Sequence, residues 1–374
     1  MSGLYIHIPF CKKKCYYCDF YSTANLKLTV PLTDAICREI QLRHDYTDKR
    51  IETIYFGGGT PSLLNGDELS RILQTARQTL DTSSCTEQTI EANPDDISMA
   101  YAEMLLENGF NRISVGVQSF DDEELRNINR RHTARQAIEA INILKAAGFK
   151  NISIDLMFGL PMQTLESWKN NLNTATSLSV QHISAYSLSY EENTVLWQKL
   201  KRKEILPVEE DTSLRMFETL VETLAKDGFE HYEISNFAHK GFRSKHNANY
   251  WNGTPYWGIG PSAHSFDGTS RQWNIRNTAQ YIKHVNENGI HFEREQLTIE
   301  EQYNDFVITG LRTCEGIDTE ELRTRFGEKL YTHFTKNAFP WIKSGKMSCE
   351  NGRAQLRNNG IFISDTIFSD LIFV

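Results

Sequence analysis

LYIHIPFCKKKCYYCDF, residues 4–20, runs from an apolar, strand-like stretch straight into three cysteines within eight positions. Cys11, Cys15 and Cys18 follow the end of that predicted strand, the edge at which parallel α/β folds collect their ligands. Soft thiolates at this density suit a metal centre, yet three of them are one short of a tetrahedral set. His7 could complete a zinc site, but it alternates with Ile6 and Ile8 inside the strand and so points away from the cysteines. The C-x3-C spacing also lies outside the usual zinc-knuckle pairs. An iron–sulfur cluster therefore ranks above zinc. With three thiolates it would leave one iron open to a small molecule, as catalytic zinc sites keep one position open.

Outward from this stretch, short apolar runs alternate with helical patterns over the first 230 residues. LYIHIPF (4–10), TIYFG (53–57), TIEAN (89–93), RISVGVQ (112–118), SIDLMFG (153–159) and ISAYSLS (183–189) read as buried strands. GDELSRILQTARQTL (66–80) and TARQAIEAINILKAAG (133–148) read as amphipathic helices, and Gly109, Gly148 and Gly228 sit where helix C-caps belong. Such alternation implies a parallel sheet with crossover helices. Six units fall short of a closed eight-unit barrel, which leaves a partial (β/α)6 barrel or a doubly wound sheet.

After residue 235 the pattern changes. HNANYWNGTPYWGIGPSAHSF (246–266) is dense in aromatics, Gly and Pro and reads as structured irregular chain. Helical patterns resume near 297 (TIEEQYNDFVITGLRT, DTEELRTRF), and FISDTIFSDLIFV (362–374) reads as a terminal strand-like hairpin. The expected organisation is a core over 1–235, a connecting region over 236–290 and a small, mainly helical domain over 291–374.

Composition narrows the classes. The 374 residues are 40% hydrophobic and 24% charged with a net charge of −8, which disfavours bulk nucleic-acid binding. No apolar run reaches the roughly 20 residues of a membrane span, and the N-terminus lacks signal-peptide features. A cytoplasmic protein with no integral membrane segment is expected. In that compartment disulfides are rare, and the scattered Cys37, Cys85, Cys314 and Cys349 read as small buried hydrophobes.

Other polar residues recur at strand ends. YFGGGTPS (55–62) matches neither a P-loop nor a dinucleotide fingerprint; its glycines either make a tight turn or let a ligand approach bare backbone. Glu91, Gln118 and Asp155 lie on the third, fourth and fifth strands, and Arg130 follows Gln118 by twelve residues. Charged side chains in apolar strands need a partner, so they face a polar pocket or an internal ion pair such as Asp155 with Arg130.

Cys-x3-Cys-x2-Cys after the first strand, followed by GGGTP, resembles the radical SAM family. That resemblance implies a [4Fe-4S] cluster on Cys11, Cys15 and Cys18, with S-adenosylmethionine (SAM) on its open iron. It assigns Gly58, Gly59 and Thr60 to the SAM amino group. Within the family, the coproporphyrinogen-oxidase branch further implies SAM contacts at Tyr5, Tyr17, Glu91, Gln118, Arg130, Asp155 and Ser189. The oxygen-independent coproporphyrinogen III dehydrogenases carry Cys-x3-Cys-x2-Cys-x-Cys and a longer N-terminal region, whereas here Phe20 takes the last position and ten residues precede Cys11. The sequence is instead similar to the HemW class of heme chaperones, through CKKKCYYCDF and the motif HNANYW (His246, Asn247, Tyr250, Trp251). That class implies heme binding, transfer to acceptor hemoproteins, an electron donor, and a monomer or homodimer. His246 is the candidate heme ligand, with His231, His239 and His264 as competitors. Oxidative decarboxylation of coproporphyrinogen III is the enzymatic alternative, and structural zinc the third.

Overall fold

The predicted strands form β1 (Ser2–Ile8), β2 (Ile51–Gly58), β3 (Glu87–Ala92), β4 (Arg112–Gln118), β5 (Ile152–Phe158) and β6 (His182–Ser187) in the computed structural model, which describes residues 2–46, 50–287 and 289–374. All five successive pairs are parallel and neighbouring, in the order β1-β2-β3-β4-β5-β6. A doubly wound sheet would reverse this order at a switch point; none occurs, and the core is the partial barrel.

Crossovers are made by α1 (Thr29–Leu42), α2 (Gly66–Thr79), α3 (Met99–Glu107), the pair α4 (Asp122–Asn127) and α5 (Ala134–Ala147), and α6 (Leu165–Ser177). Asn65 with Glu68 and Thr133 with Gln136 form capping boxes that start α2 and α5. Gly109, Gly148 and Gly228 all take positive φ beyond helix ends, as the C-cap reading requires. Along each strand one set of alternate residues (Leu4, Ile6, Ile8; Ile54, Phe56; Ile113, Val115, Val117) is fully buried in the hydrophobic core. The other set is polar: Tyr5 and His7, Thr53 and Tyr55, Thr89 and Glu91, Arg112 and Ser114, Ser153 and Asp155, His182 and Ser184. The barrel interior is therefore a polar chamber.

Beyond β6 come α7 (Val195–Lys201), α8 (Glu210–Lys226), β7 (Glu230–Glu233) and β8 (Asn236–Ala238), the last antiparallel to β6. The stretch expected to be irregular is instead regular: α9 (Lys245–Trp251), β9 (Tyr256–Ile259) and β10 (His264–Phe266). β9 pairs in parallel with β1 and covers the edge that the missing barrel units would leave open. Gly258 permits the close approach of β10 to β9, since a Cβ there would lie 1.9 Å from the His264 carbonyl oxygen. β11 (Ser270–Asn274) and β12 (Phe292–Gln296) extend the same sheet, with α10 (Thr278–Asn286) between them. A buried carboxylate fastens this extension to the core: Glu39 on α1, 0% exposed, accepts from Arg43 (2.6 Å), Asn274 (2.8 Å), the Gly260 amide (2.9 Å) and the Tyr281 hydroxyl.

The C-terminal part packs α11 (Ile299–Leu311), α12 (Thr319–Lys343, broken at Gly327), α13 (Asn358–Ile361) and α14 (Ser364–Leu371) around its own core. A small sheet of β13 (Ile317–Asp318), β14 (Met347–Glu350) and β15 (Arg353–Leu356) joins them. The expected terminal hairpin is corrected here. Residues 364–371 are helical because Ile367, Phe368 and Leu371 bury one helix face. The hairpin lies earlier, turning at Asn351-Gly352, both with positive φ, the signature of a two-residue primed turn.

Candidate functional site

Cys11, Cys15 and Cys18 are free thiols on the loop after β1. Burial and the neighbouring thiols push Cys18 up to about 11, and burial raises Cys11. Cys11 Sγ lies 3.5 Å from Thr60 Oγ1, and Arg130 Nη1 donates to Cys15 Sγ at 3.4 Å. The cysteine loop is thus in contact with both GGGTPS and Arg130, in the segment between α4 and α5. A second tie runs through Asp96, which accepts from Lys12 (2.9 Å), Ser62 (3.0 Å) and Arg131 (3.0 Å).

The glycine loop is set by close approach. A Cβ on Gly58 (φ +110°) would lie 2.5 Å from His7 Cε1, and one on Gly59 would lie 2.7 Å from the Phe10 carbonyl oxygen. The Gly58 amide donates to Glu91 Oε2 at 3.1 Å, and the Tyr55 hydroxyl donates to Glu91 Oε1 at 2.7 Å. Burial raises the Glu91 carboxyl to about 7, opposed by these two donors and by Arg112 and reinforced by Asp155. Asp155 is also raised by burial and accepts from Ser114 at 3.1 Å.

Arg130 does not pair with Asp155; its Nη2 donates to Asn93 Oδ1 (2.7 Å) and to the Gly116 carbonyl. Asn93 Nδ2 in turn donates to Thr60 at 3.2 Å. Gln118 holds a left-handed φ of +67° at a register break between β4 and β5, a strained conformation of the kind found at functional sites. Tyr17 packs on Ile128, Met157 and Leu160, with burial raising its phenol. Tyr5 lies deeper, stacked against Tyr55 and His246. Ser189 stands apart, exposed two residues beyond β6. Phe20 is also exposed, at 64%.

His246 lies elsewhere. Lys245 and His246 donate their amides to the Glu87 carboxylate (3.0 and 2.9 Å) at the start of β3, so α9 closes the N-terminal end of the barrel. His246 is 2% exposed, with Nδ1 2.8 Å from Thr53 Oγ1 and Nε2 3.0 Å from the Tyr250 hydroxyl. Burial, then the charge of Arg112, lowers it to about 3. On the other side of α9, against the C-terminal part, is a cavity of about 680 Å³ walled by Tyr250, Trp251, Tyr256, Phe266 and Phe306.

Sequence reading missed Asn93, Asp96, Arg131 and Arg112. The doublets in NPDD (93–96), just past β3, and NRRH (129–132), just past α4, carried the signal. Arg112 is 1% exposed with Nε and Nη1 unpartnered, a cation inside the chamber that an arginine opening a strand could have flagged.

Residues 5–175 match the sequence profile of the Radical SAM superfamily, and residues 297–363 match the HemN C-terminal domain. The heme chaperone HemW of Lactococcus lactis is 38% identical over 335 residues, spanning 88% of this chain and 87% of that protein. This chain belongs to the HemW family. The Bacillus subtilis HemW is 33% identical across 98% of both chains. The fold matches Escherichia coli coproporphyrinogen III oxidase (HemN), described as a radical SAM enzyme, with a TM-score of 0.86 over 99% of this chain and 90% of that one, at 24% identity.

The family implies a [4Fe-4S] cluster and SAM, and the donor set is compatible with both. The three thiols share one loop, with Cys11 against Thr60 of the glycine loop and Cys15 against Arg130. Among the described residues no group of three or more His, Cys, Asp or Glu side chains is arranged around a single metal ion. His7 Nδ1 lies 3.1 Å from the Tyr5 hydroxyl, and its Nε2 is buried without a hydrogen-bond partner. Among the described residues no helix is long and apolar enough to cross a membrane.

Proposed function

We propose that this HemW-family protein is a cytoplasmic heme chaperone: it binds heme, passes it to acceptor hemoproteins, and carries a [4Fe-4S] cluster and SAM in its barrel. The observation that carries this reading is the cavity beside HNANYW. Its 680 Å³ falls within the roughly 300–1,000 Å³ typical of cofactor sites. Tyr250, Trp251, Tyr256, Phe266 and Phe306 offer aromatic surface for a flat macrocycle. Arg325, stacked 5.6 Å over Phe306, and Arg271, paired with Asp305, offer cations for its propionates. None of His231, His239, His246 and His264 is among the cavity residues described, so the reading gives none of them to the iron.

In the barrel, Cys11, Cys15 and Cys18 would hold the cluster, and Gly58, Gly59, Thr60 and Glu91 would receive the amino-acid and sugar polar groups of SAM. Tyr5, Tyr17, Gln118, Arg130 and Asp155 would complete that pocket, with Ser189 at its outer margin. A cluster held there and reduced by an electron donor would supply SAM-dependent radical chemistry or a redox-sensitive gate. The residues of the chain orient SAM by fixed donors and keep its charges out of bulk water. Phe20 in place of a fourth cysteine favours delivery over porphyrin oxidation.

Heme titration followed by the Soret band tests the cavity. One equivalent should bind, and Trp251→Ala or Arg271→Glu should weaken binding at least about tenfold, the cost of one well-buried contact. Equal affinity in wild type and both variants would remove the cavity as the heme site.

A further inference from the structure

His246 is the most heme-like residue in the sequence and the least available in the structure. A ligand to iron needs a free ring nitrogen, and both of its nitrogens face hydroxyls of Thr53 and Tyr250. A neutral imidazole has one donor and one acceptor nitrogen, and two hydroxyls satisfy both. The ring also lies flat on Tyr55, with centroids 4.9 Å apart and planes at 24°, and against Tyr5 at 6.3 Å and 29°. Tyr55 is the residue whose hydroxyl holds Glu91, and Glu91 holds the Gly58 amide.

We propose that His246 is a positioning residue for the SAM pocket: it fixes Tyr55, and through Tyr55 the Glu91 carboxylate beneath the Gly58 amide. The inference rests on the SAM reading above and deepens it. Three contacts make the sequence of supports continuous. The Thr53 and Tyr250 hydroxyls fix the plane of the imidazole. That plane backs one face of the Tyr55 ring, which limits the swing of its phenol. The phenol keeps one carboxylate oxygen of Glu91 occupied, so that the other is aimed at the glycine loop. A carboxylate buried between strands has few donors and loses its orientation when one is removed. The HNANYW helix therefore shapes the cofactor pocket from the opposite end of the barrel, and its aromatic outer face remains free to wall the cavity.

Equilibrium dialysis of labelled SAM against the anaerobically reconstituted protein tests this. Tyr55→Phe keeps the ring and the stack but deletes the donor; His246→Ala deletes the stack. Both should weaken SAM binding by about tenfold or more, as expected for a hydrogen bond to a charged group. His246→Phe, which keeps a flat ring behind Tyr55, should recover part of the loss. The Soret maximum of bound heme should be the same in wild type and His246→Ala.

A second readout separates positioning from general support. Glu91 faces Tyr5 on β1, Tyr55 on β2, Arg112 on β4, Asp155 on β5, Tyr186 on β6 and Tyr250 on α9. Removing the Tyr55 donor raises the pH at which SAM binding strengthens, whereas a merely structural role leaves that pH in place. Should His246→Ala not fold, His246→Phe, which deletes both ring nitrogens, is read beside Tyr55→Phe, and SAM affinity unmoved in both overturns the inference. Wild type that binds no SAM overturns the proposed SAM site and this inference together. Wild type that binds SAM with an affinity and pH dependence unmoved by Tyr55→Phe overturns this inference only, as does a Soret shift in His246→Ala with SAM affinity intact.

Discussion

The Gly58 amide and the Glu91 carboxylate meet at 3.1 Å, joining the glycine loop after β2 to the end of β3. With Tyr55 on its other oxygen, Glu91 is a buried carboxyl raised from 4.5 to about 7, mainly by desolvation. A carboxyl raised on folding contributes stability that is full below about 4.5 and is lost as pH rises through about 7. The ligand-free protein should therefore lose stability between these values, and Glu91→Gln should flatten that slope. Thermal melts from pH 4.5 to 8 measure it; parallel slopes in the two proteins would refute the assignment.

Gly59 has no room for a methyl group, since a Cβ would sit 2.7 Å from a backbone carbonyl that cannot swing away. Gly59→Ala should cost about 1–3 kcal/mol and displace the loop from the cysteines. Urea denaturation gives the first quantity, and iron content after reconstitution reports the second.

Glu39 is the buried anchor between α1 and the β9–β11 extension, and its ion pair with Arg43 is 2.6 Å long. Removing one partner leaves an uncompensated buried charge, so Glu39→Ala should lose about 3–5 kcal/mol. A loss below about 1 kcal/mol in urea titration would show that the extension is held by other means.

Phe20 is exposed and packs little. Phe20→Ala should change stability by no more than about 0.5 kcal/mol and leave iron content at the wild-type level. Loss of iron in this variant would give Phe20 a structural share in the cluster loop.

The barrel was legible because its strands are fully buried on one face and terminate in short punctuated loops; β4, read as 112–118, has those bounds in the structure. The cysteines and the glycine loop were legible as local patterns. Two kinds of feature were not. Short elements dense in Gly and aromatics, such as β9, exist because β1 offers an edge, a tertiary cause with little local trace. The terminal FISDTIFSDLIFV has β-branched and aromatic content typical of strands, yet Ile367, Phe368 and Leu371 are placed by the packing of α14 on α11 and α12. At the site, sequence could nominate His246 as a metal ligand but not reveal that Thr53 and Tyr250 already occupy its nitrogens. Thr53 lies 193 residues away in the chain, a separation invisible to spacing.

The measurement that bears most directly on the central reading is heme transfer. Heme-loaded, cluster-reconstituted protein is mixed anaerobically with an apo-hemoprotein, and movement of the Soret band from donor to acceptor is followed. Near-stoichiometric transfer, with coproporphyrinogen III left unconverted in a parallel reaction with SAM and reductant, is the expected result. Failure to release heme to any apo-hemoprotein together with efficient decarboxylation of coproporphyrinogen III would contradict it.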